Sequence, residues 1–373
     1  MTVAAASMAR KAAGLLVTVS PRLDKALIAR LGEVAERVYS YPVLDKAQPT
    51  AEELASIDVV LCDVRGLPKY ITDIERQCPR LKLVQASNSG VTNIVQGPGY
   101  LGASPGVRQS LTICNASGLH VITIPPYVLT TIHMIYLRLN EQHINAQVHG
   151  KWVDQLPDLY GKPYAGRTIR GRTVGLLGYG HLGRETARLL KAYGAHVIAA
   201  NTRGTRSTDT GYVVPGTGDA DATLPEDMYS TSDEASLAAF LARCDVLVSS
   251  LPSTPKTRNL LTRQRLALLP RNAVLVNVGR GDVVRTEDIL WALDRPLDDG
   301  NGPLLGAIVD VTEPEPLEDG HPLFTHPRAI VTPHLAGDSE GELETASDIC
   351  YNNVMRLLSG DKLLNVVDVE KGY

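Results

Sequence analysis

Short, almost continuous apolar runs alternate along this chain with segments whose apolar residues recur at the spacing of a helix. An apolar run without polar alternation is typical of a strand that is buried on both faces of a parallel sheet. Strands that alternate with helices build such sheets and cover them. The pattern therefore predicts an α/β protein, with strands at residues 14–19, 59–62, 81–86, 111–115, 174–177, 196–200, 245–249, 273–278, 306–310 and 329–332.

The longest helical patterns cover residues 24–38, 127–147 and 341–358. Pro125-Pro126 stands directly before the second of these, and a proline pair is expected to break the chain there. A break before a long helix predicts a domain boundary. Residues 205–232 are rich in glycine, threonine, aspartate and proline, which predicts a surface excursion from the repeating strand–helix units.

Two loops follow predicted strands in the first part of the chain. One contains Ser89, Gly90 and Val91, whose backbone amides are placed to cradle a carboxylate. An ordinary turn is the alternative interpretation of this loop. The other loop, residues 96–105, is rich in glycine and is predicted to lie on the surface.

A G-x-G-x-x-G pattern is formed by Gly178, Gly180 and Gly183. The predicted strand at 174–177 precedes it, and a helix is predicted at 184–193 with Gly194 at its end. In this context the first glycine permits a tight turn, the second lets backbone approach a pyrophosphate, and the third lets the helix pack on the strand. The helix N-terminus then faces the phosphates. The pattern predicts a dinucleotide site.

The residue after the next strand indicates which dinucleotide is bound. An NAD site commonly has an acid there, which binds the ribose hydroxyls. This chain has Asn201, followed by Thr202 and Arg203, with Arg206 nearby. Because no acid repels a 2′-phosphate and guanidinium groups grip phosphate, NADP(H) is predicted to be preferred, with NAD(H) possible. In the alternative interpretation, both arginines are solvated loop charges.

Composition excludes several classes of protein. The 373 residues are 44% hydrophobic and 21% charged, as in ordinary globular proteins. A net charge of −4 argues against a general nucleic-acid or membrane-surface binder, and no apolar run approaches the roughly 20 residues of a membrane span. The five cysteines lack C-x-x-C spacing, which predicts reduced thiols in the cytoplasm and no metal site.

The first 23 residues contain no acid but include Arg10, Lys11 and Arg22, so a transit peptide is an alternative. The apolar run at 14–19 is, however, predicted to be the first strand of a domain. Cleavage of a leader would remove that strand, and a cytoplasmic protein is therefore favoured.

Three ionisable side chains follow neighbouring strands, where ligands bind in doubly wound sheets. Arg280 lies between two glycines, which permit backbone to come close to a ligand, and its guanidinium matches a carboxylate. His334 can exchange a proton near neutral pH. A carboxylate from Glu313 or Glu315 would stabilise its imidazolium form. With a dinucleotide at the same edge, the set predicts hydride transfer to a 2-keto acid.

These residues resemble the D-isomer-specific 2-hydroxyacid dehydrogenases, and in particular the glyoxylate/hydroxypyruvate reductase-like branch, many members of which prefer NADPH. The resemblance covers roughly residues 55–360 and rests on five motifs in order, at residues 178–183, 251–257, 277–281, 306–316 and 332–337. It implies a Rossmann cofactor domain (residues 126–334) inserted into a flavodoxin-like substrate domain (residues 1–125 and 335–373). It also implies a homodimer formed through the cofactor domains.

The resemblance also implies roles for individual residues. Arg280 would bind substrate, His334 would act as acid and base, and Glu315, five residues after Asp310, would assist it. Ser89, Gly90 and Val91 would meet the substrate carboxylate. The cofactor would contact Gly178, Gly180, His181, Leu182, Gly183, Asn201, Thr202, Arg203, Leu251, Pro252, Thr257, Val278 and Asp310.

The chain departs from the family pattern at Pro125-Pro126, where an Ala-Glu pair is common, at Asn201, and in the length of the excursion at 204–235. Two other functions remain open at this point. One is a dinucleotide-sensing scaffold that resembles the C-terminal-binding-protein corepressors. The other is a dehydrogenase for a different small anion such as phosphite; a formate enzyme would be expected to lack the glutamate.

Overall fold

The computed structural model describes residues 11–369, which form two compact units. The first comprises the chain up to Leu119, the segment Thr210–Tyr212 and the chain from Glu340 onward; the second comprises His120–Asp209 and Val213–Ser339. The sequence instead predicts boundaries at 125/126 and 334/335, and does not predict that Thr210–Tyr212 joins the first unit. Residues 1–10 and 370–373 lie outside the described residues, and with them the first ten of the 23 residues considered as a transit peptide.

The strands are β1 (Ala12–Val17), β2 (Ala35–Ser40), β3 (Val59–Cys62), β4 (Leu83–Ala86), β5 (Thr112–Cys114), β6 (Thr173–Leu177), β7 (His196–Asn201), β8 (Met228–Ser230), β9 (Val246–Ser249), β10 (Val274–Asn277), β11 (Gly306–Val309) and β12 (Ala329–Val331). The α-helices are α1 (Lys25–Leu31), α2 (Ala51–Ala55), α3 (Ile74–Gln77), α4 (Thr92–Val95), α5 (Pro98–Leu101), α6 (Pro105–Ser110), α7 (Ile124–Tyr136), α8 (Leu139–Gln147), α9 (His181–Ala192), α10 (Glu234–Leu241), α11 (Arg263–Leu266), α12 (Thr286–Asp294) and α13 (Glu342–Ser359).

The first unit is built on a five-stranded parallel sheet with the order β2-β1-β3-β4-β5. This is the flavodoxin-like order, so the predicted fold of this unit is confirmed. Helix α13 packs through Cys350 and Val354 into the same core as β1. A buried polar pair completes the packing. The Asn353 side chain donates from Nδ2 to Gln85 Oε1 at 2.7 Å, and its Oδ1 accepts from the backbone amide of Leu364.

Two predictions for the first unit are wrong. The helix predicted at 24–38 ends at Leu31, and residues 35–40 form β2, because pairing with the free edge of β1 outweighs the helical preference of this segment. The loop at 96–105 largely folds into α5 and the start of α6, and Gly99 and Tyr100 are buried rather than on the surface. Its glycines are required because the backbone lies against Ile71 and Thr72.

The second unit is built on a seven-stranded parallel sheet with the order β12-β11-β10-β9-β6-β7-β8. Counted from β6, this is the doubly wound dinucleotide-binding order with one further strand, which confirms the predicted Rossmann architecture. Strands β9, β10 and β11 are buried on both faces, as their continuous apolar runs predict. The short edge strand β8 is not predicted by the sequence pattern.

Pro125-Pro126 does not break the chain as predicted. Both prolines lie in the first turn of α7, where the missing amide hydrogens are not needed for helical hydrogen bonds. The long helix is instead interrupted at Arg138, whose φ of 51° is left-handed. The Arg138 guanidinium donates to Glu141 and to the carbonyl oxygens of Leu156 and Pro157, and these bonds hold the turn between α7 and α8.

The excursion between β7 and β8 is not a simple surface loop. Its Asp219 is 9% exposed and accepts a 2.6 Å hydrogen bond from the Tyr179 hydroxyl. Arg184, 3% exposed on α9, donates to the carbonyl oxygens of Asp219, Ala220 and Ser207. The excursion is therefore fastened to the glycine turn and to the helix that follows it.

The tip of the excursion belongs to the first unit. There the Tyr212 amide donates to Asn365 Oδ1, and its hydroxyl donates to Asp348 Oδ2, both at 3.0 Å. Its ring packs against a small cluster that includes Ala346 and Ile349 of α13.

The bond between Tyr179 and Asp219 yields a stability prediction. Burial alone would raise the pKa of Asp219, but hydrogen bonds from Tyr179 and from the Thr223 and Leu224 segment hold it below its ordinary value. Tyr179→Phe should lower the free energy of unfolding by about 1.5–3 kcal/mol at pH 7, the range for a hydrogen bond to a charged group.

The difference should be measured by urea denaturation. It should shrink as the pH falls below 3.8, the ordinary pKa, because the carboxylate becomes protonated in both proteins. Tyr193→Phe is the matched control, since Tyr193 is 53% exposed. Equal losses in the two variants would contradict the assigned role.

Candidate functional site

The glycine turn between β6 and α9 has the geometry of an anion site. Gly178 has a φ of 101°, which favours glycine, and a Cβ on Gly183 would lie 2.4 Å from the Gly178 oxygen. At Gly180, by contrast, a Cβ would meet no atom of residues 11–369 within 4 Å, so this side of the turn is open. In the part of the chain that the structure describes, no side chain caps the first turn of helix α9. The turn therefore fits a dinucleotide pyrophosphate.

The two residues between the last glycines are placed differently from each other. His181 lies with its Nε2 3.3 Å from Asp209 Oδ1, so it faces the excursion. Leu182 is partly buried and packs against an apolar core cluster of the second unit. Both residues lie at the start of α9, and their predicted contact with the cofactor stays a prediction.

Asn201 shapes the loop at the end of β7. Its Oδ1 accepts from the amides of Arg203 at 3.0 Å and Gly204 at 2.8 Å, and its Nδ2 donates to the Thr205 oxygen at 2.7 Å. Thr202 and Arg203 are exposed at the tip of this loop. The guanidinium of Arg203 has no ion-pair or hydrogen-bond partner within residues 11–369.

Arg206 does not form the free cationic group that the sequence suggests. Its guanidinium donates to the carbonyl oxygens of Ala222 and Pro225. These bonds fasten the excursion, so Arg206 is committed to the fold. Of the two arginines considered for a 2′-phosphate, Arg203 alone has a guanidinium that the described residues leave available.

The loop after β9 lies beside the glycine turn. The Leu251 side chain is 9% exposed and packs close to Gly178. Thr257 Oγ1 donates to the Pro252 oxygen at 2.6 Å, which closes the loop on itself. Val278, on the next strand end, is buried and its amide donates to the Ser249 oxygen. These predicted cofactor contacts thus surround the same strand ends.

Arg280 follows β10 in a turn that Asn277 organises. Buried Asn277 accepts from the Gly279 amide and donates to the Arg280 oxygen at 3.0 Å. A Cβ on Gly279 would lie 2.5 Å from the Leu251 oxygen, and one on Gly281 would lie 1.8 Å from the Thr312 oxygen. The glycines therefore admit neighbouring protein loops, and the predicted approach of this backbone to a ligand stays a prediction.

Asp310, directly after β11, is 4% exposed and binds the segment after β12. Its Oδ1 accepts from the Thr332 hydroxyl at 2.5 Å and from the Leu335 and Ala336 amides at 3.1 and 3.2 Å. Its carboxylate therefore organises the chain around His334. The proposed contact with the nicotinamide stays a prediction beside this role.

His334 adopts a left-handed φ of 58°, and its amide donates to the Asp310 oxygen at 2.8 Å. Its Nδ1 lies 2.5 Å from Glu315 Oε1. Because a carboxylate only accepts, Nδ1 carries the hydrogen and Nε2 is the atom that can exchange a proton. Glu313 does not make this contact; its backbone oxygen accepts from Thr286 Oγ1.

Strands β10, β11 and β12 are neighbours in a parallel sheet, so Arg280, Asp310 and His334 follow adjacent strands at one edge. A model of the NAD-binding domain of the D-isomer specific 2-hydroxyacid dehydrogenases matches residues 130–336. The chain belongs to this family.

Individual members of the family are similar to most of this chain. A glyoxylate/hydroxypyruvate reductase A from Photorhabdus laumondii is 31% identical over 64% of this chain and 65% of its own length. A D-isomer specific 2-hydroxyacid dehydrogenase from Xanthobacter autotrophicus, solved with NADPH and MES, is 25% identical with a TM-score of 0.71, and 97% of this chain and 100% of that one are covered.

An NADPH-dependent glyoxylate/hydroxypyruvate reductase from Sinorhizobium meliloti, solved with NADP and sulfate, is also similar. It is 26% identical with a TM-score of 0.66, over 97% of this chain and 100% of that one.

Sequence reasoning missed a residue that supports the candidate site. The Tyr127 hydroxyl lies 2.7 Å from Thr332 Oγ1. Since Thr332 donates to Asp310, Tyr127 is the donor in this pair. Burial raises the pKa of Tyr127 to about 12, so it keeps its hydrogen. No spacing in the sequence links two residues so far apart.

The loop predicted to meet the substrate carboxylate lies in the first unit. Asn88 Nδ2 donates to the Gly90 oxygen at 2.7 Å, and Asn115 Nδ2 donates to the Ser89 oxygen at 3.1 Å. These two bonds use the carbonyl oxygens of Gly90 and Ser89. The backbone amides of Ser89, Gly90 and Val91 have no hydrogen-bond partner within residues 11–369. They stay predicted donors to an anion.

Two searches of the described chain gave negative results. Within residues 11–369, no three histidine, cysteine, aspartate or glutamate side chains form a group that could hold a metal ion. In the same part of the chain, no helix combines the length and apolar character of a membrane span.

Proposed function

We propose that the protein is an NADPH-dependent reductase that converts a small 2-keto acid, such as glyoxylate or hydroxypyruvate, to the D-2-hydroxy acid. The observation that carries this proposal is the 2.5 Å contact between His334 and Glu315, at the sheet edge that also holds Arg280. Relatives that bear the names of glyoxylate and hydroxypyruvate reductases support the substrate class.

Each side chain has a distinct part in this reaction. Within residues 11–369, the Arg280 guanidinium donates one hydrogen bond, from Nη1 to the Gly279 oxygen, so the rest of its planar fork is available for the substrate carboxylate. Glu315 holds Nδ1 of His334, which directs Nε2 toward the reacting carbonyl oxygen. His334 then donates the Nε2 proton to that oxygen as negative charge develops.

The glycine turn would hold the dinucleotide, which supplies the hydride when it is bound. The uncapped start of α9 and the open side of Gly180 accept the pyrophosphate, and Leu251 and Val278 provide apolar surface at the strand ends. The proton from His334 and the hydride together reduce the carbonyl to an alcohol, so no further reactant is needed.

The test is the oxidation of NADPH, followed at 340 nm, against glyoxylate, hydroxypyruvate, pyruvate and a bulky aromatic 2-keto acid. Turnover of at least one acid is expected, with the small acids preferred. Tight NADPH binding without any turnover would reject the proposal in favour of a sensing scaffold. Reduction of NADP by phosphite in a parallel assay, without turnover of any keto acid, would instead indicate a phosphite dehydrogenase.

His334→Ala in the same assay should lower kcat by about 10²- to 10⁴-fold, the usual contribution of a general acid. NADPH binding should be unchanged, since the proton acts only in the chemical step. His196→Ala is the matched control, because the His196 side chain is exposed at the start of β7, where it contacts Glu226. Activity within a few-fold of the unmodified enzyme would refute the role of His334.

We propose that Arg203 makes the enzyme prefer NADPH over NADH. Its guanidinium is exposed at the end of β7, in a loop that lacks an acidic residue at position 201. Arg203→Ala should raise KM for NADPH roughly 10- to 100-fold, as expected for the loss of one charge-assisted hydrogen bond. KM for NADH, which lacks the 2′-phosphate, is the internal control and should stay constant. A parallel rise for both cofactors would contradict the assignment.

We also propose that the protein forms a homodimer through the second unit. Helix α8 has no buried residue, and Ile144, Val148 and Trp152 on or just after it are 47%, 71% and 95% exposed. Large apolar side chains exposed together mark an interaction surface.

Light scattering should show a dimer, and the double variant Ile144→Glu with Trp152→Glu should be a monomer. Val64→Glu, at an exposed site of the first unit, should remain dimeric; a monomeric unmodified protein would refute the proposal.

A further inference from the structure

A second histidine contacts the segment that carries His334. His120 lies in a single 3-10 turn before α7, and its Nδ1 is 2.9 Å from the Gly337 oxygen. Thr123 Oγ1 donates to the same oxygen at 3.2 Å. A carbonyl oxygen only accepts, so His120 Nδ1 carries the hydrogen. Two donors thus hold one carbonyl group three residues beyond His334.

The contact between His120 and Gly337 is steric as well as polar. A Cβ on Gly337 would lie 3.1–3.3 Å from three atoms of the His120 ring, so the ring rests directly on the glycine backbone. Before His334, the Thr332 hydroxyl donates to the Asp310 carboxylate, and after it the Leu335 and Ala336 amides donate to the same carboxylate. The left-handed turn at His334 is therefore fixed from both directions.

The charge of His120 suits this location. Burial lowers its pKa, and although the Gly337 oxygen and Asp338 oppose this, the nearby His334 and Arg280 lower the pKa further. These are the charged and titratable groups that influence it. A neutral ring can hold the segment without repelling the imidazolium form of His334.

We propose that His120 is a positioning residue for the proton donor: its hydrogen bond to Gly337 fixes the segment 334–337 and thereby the orientation of the His334 imidazole. This inference rests on the proposed reduction of a 2-keto acid for its kinetic consequence. Its structural part, the dependence of the bond between His334 and Glu315 on His120, does not need that reaction.

The kinetic test compares His120→Leu, which removes the donor, with His120→Asn, whose amide Nδ2 can replace it. His120→Leu should lower kcat about 10- to 100-fold, because a misplacement of about 1 Å costs this much, with little change in KM or NADPH affinity. His120→Asn should restore kcat to within a few-fold. Thr123→Val, which removes the weaker second donor, should lower kcat less and is the fallback if His120→Leu does not fold.

His133→Leu is the matched control, since His133 Nδ1 also contacts a backbone oxygen, that of Leu129, but within α7. Its kcat should stay close to that of the unmodified enzyme. An unchanged kcat in His120→Leu would overturn the inference. So would an equal loss in His120→Leu and His120→Asn, which would indicate that the ring acts only by packing.

A second measurement separates this inference from the proposed function. The Nδ1 proton of His334, in its 2.5 Å bond to Glu315, should give a downfield NMR signal in the full protein, assigned by its loss in His334→Ala. The signal should shift upfield or vanish in His120→Leu and return in His120→Asn. A signal that His120→Leu leaves unchanged would overturn the inference. A signal that behaves as expected in a protein without keto-acid turnover would reject the proposed function and leave the inference standing.

Discussion

The strand-end loops of the second unit depend on the buried carboxylate of Asp310. A charge that is 4% exposed must find hydrogen-bond donors, because an unpaired buried ion costs several kcal/mol. The donors come from one stretch of chain, namely the Thr332 hydroxyl and the amides of Leu335 and Ala336. When these groups converge on one carboxylate, the chain between them must turn sharply, and His334 takes up the left-handed conformation.

That conformation costs of the order of 1–3 kcal/mol for a non-glycine residue and persists only when surrounding contacts hold it in place. The contacts around His334 provide this support. Tyr127 supports Thr332, and His120 and Thr123 hold the Gly337 oxygen. The strain places the imidazole beyond the strand end, where Glu315 can reach Nδ1 and leave Nε2 for chemistry.

The sequence predicts the parts of the fold that follow from local steric rules. Gly183 is one such part, because any side chain there would strike the Gly178 oxygen, and the continuous apolar runs of the central strands are another. Strands β2 and β8 escape prediction for a physical reason, whereas β5 and β12, at the opposite edges of the two sheets, are predicted. Strand β2 is buried only at Ala35 and β8 is at most half-buried, so neither carries the apolar signature of a central strand. Their identity comes from pairing with β1 and β7, which local composition does not encode.

Polar contacts between distant residues are a further limit. Asp219 lies in a stretch whose composition indicates a surface loop, yet it is buried because Tyr179 and Arg184 need partners. His120 and Gly337 are likewise far apart in the chain, and neither residue type predicts the contact between them. By contrast, the family resemblance distinguishes Glu315 from Glu313 by its distance of five residues from Asp310, and it is Glu315 that contacts His334.

Asn201 illustrates how one side chain can serve two constraints. Its Oδ1 accepts from the amides of Arg203 and Gly204, as an aspartate oxygen would, so the turn survives the exchange of acid for amide. Its Nδ2 also donates to the Thr205 oxygen, which a carboxylate would instead repel. The neutral amide thus stabilises the same loop that exposes Arg203 and withholds the charge that would oppose a 2′-phosphate. Loop geometry and the proposed cofactor preference are therefore coupled, and an acid at this position would disturb the presentation of Arg203 as well as the local charge.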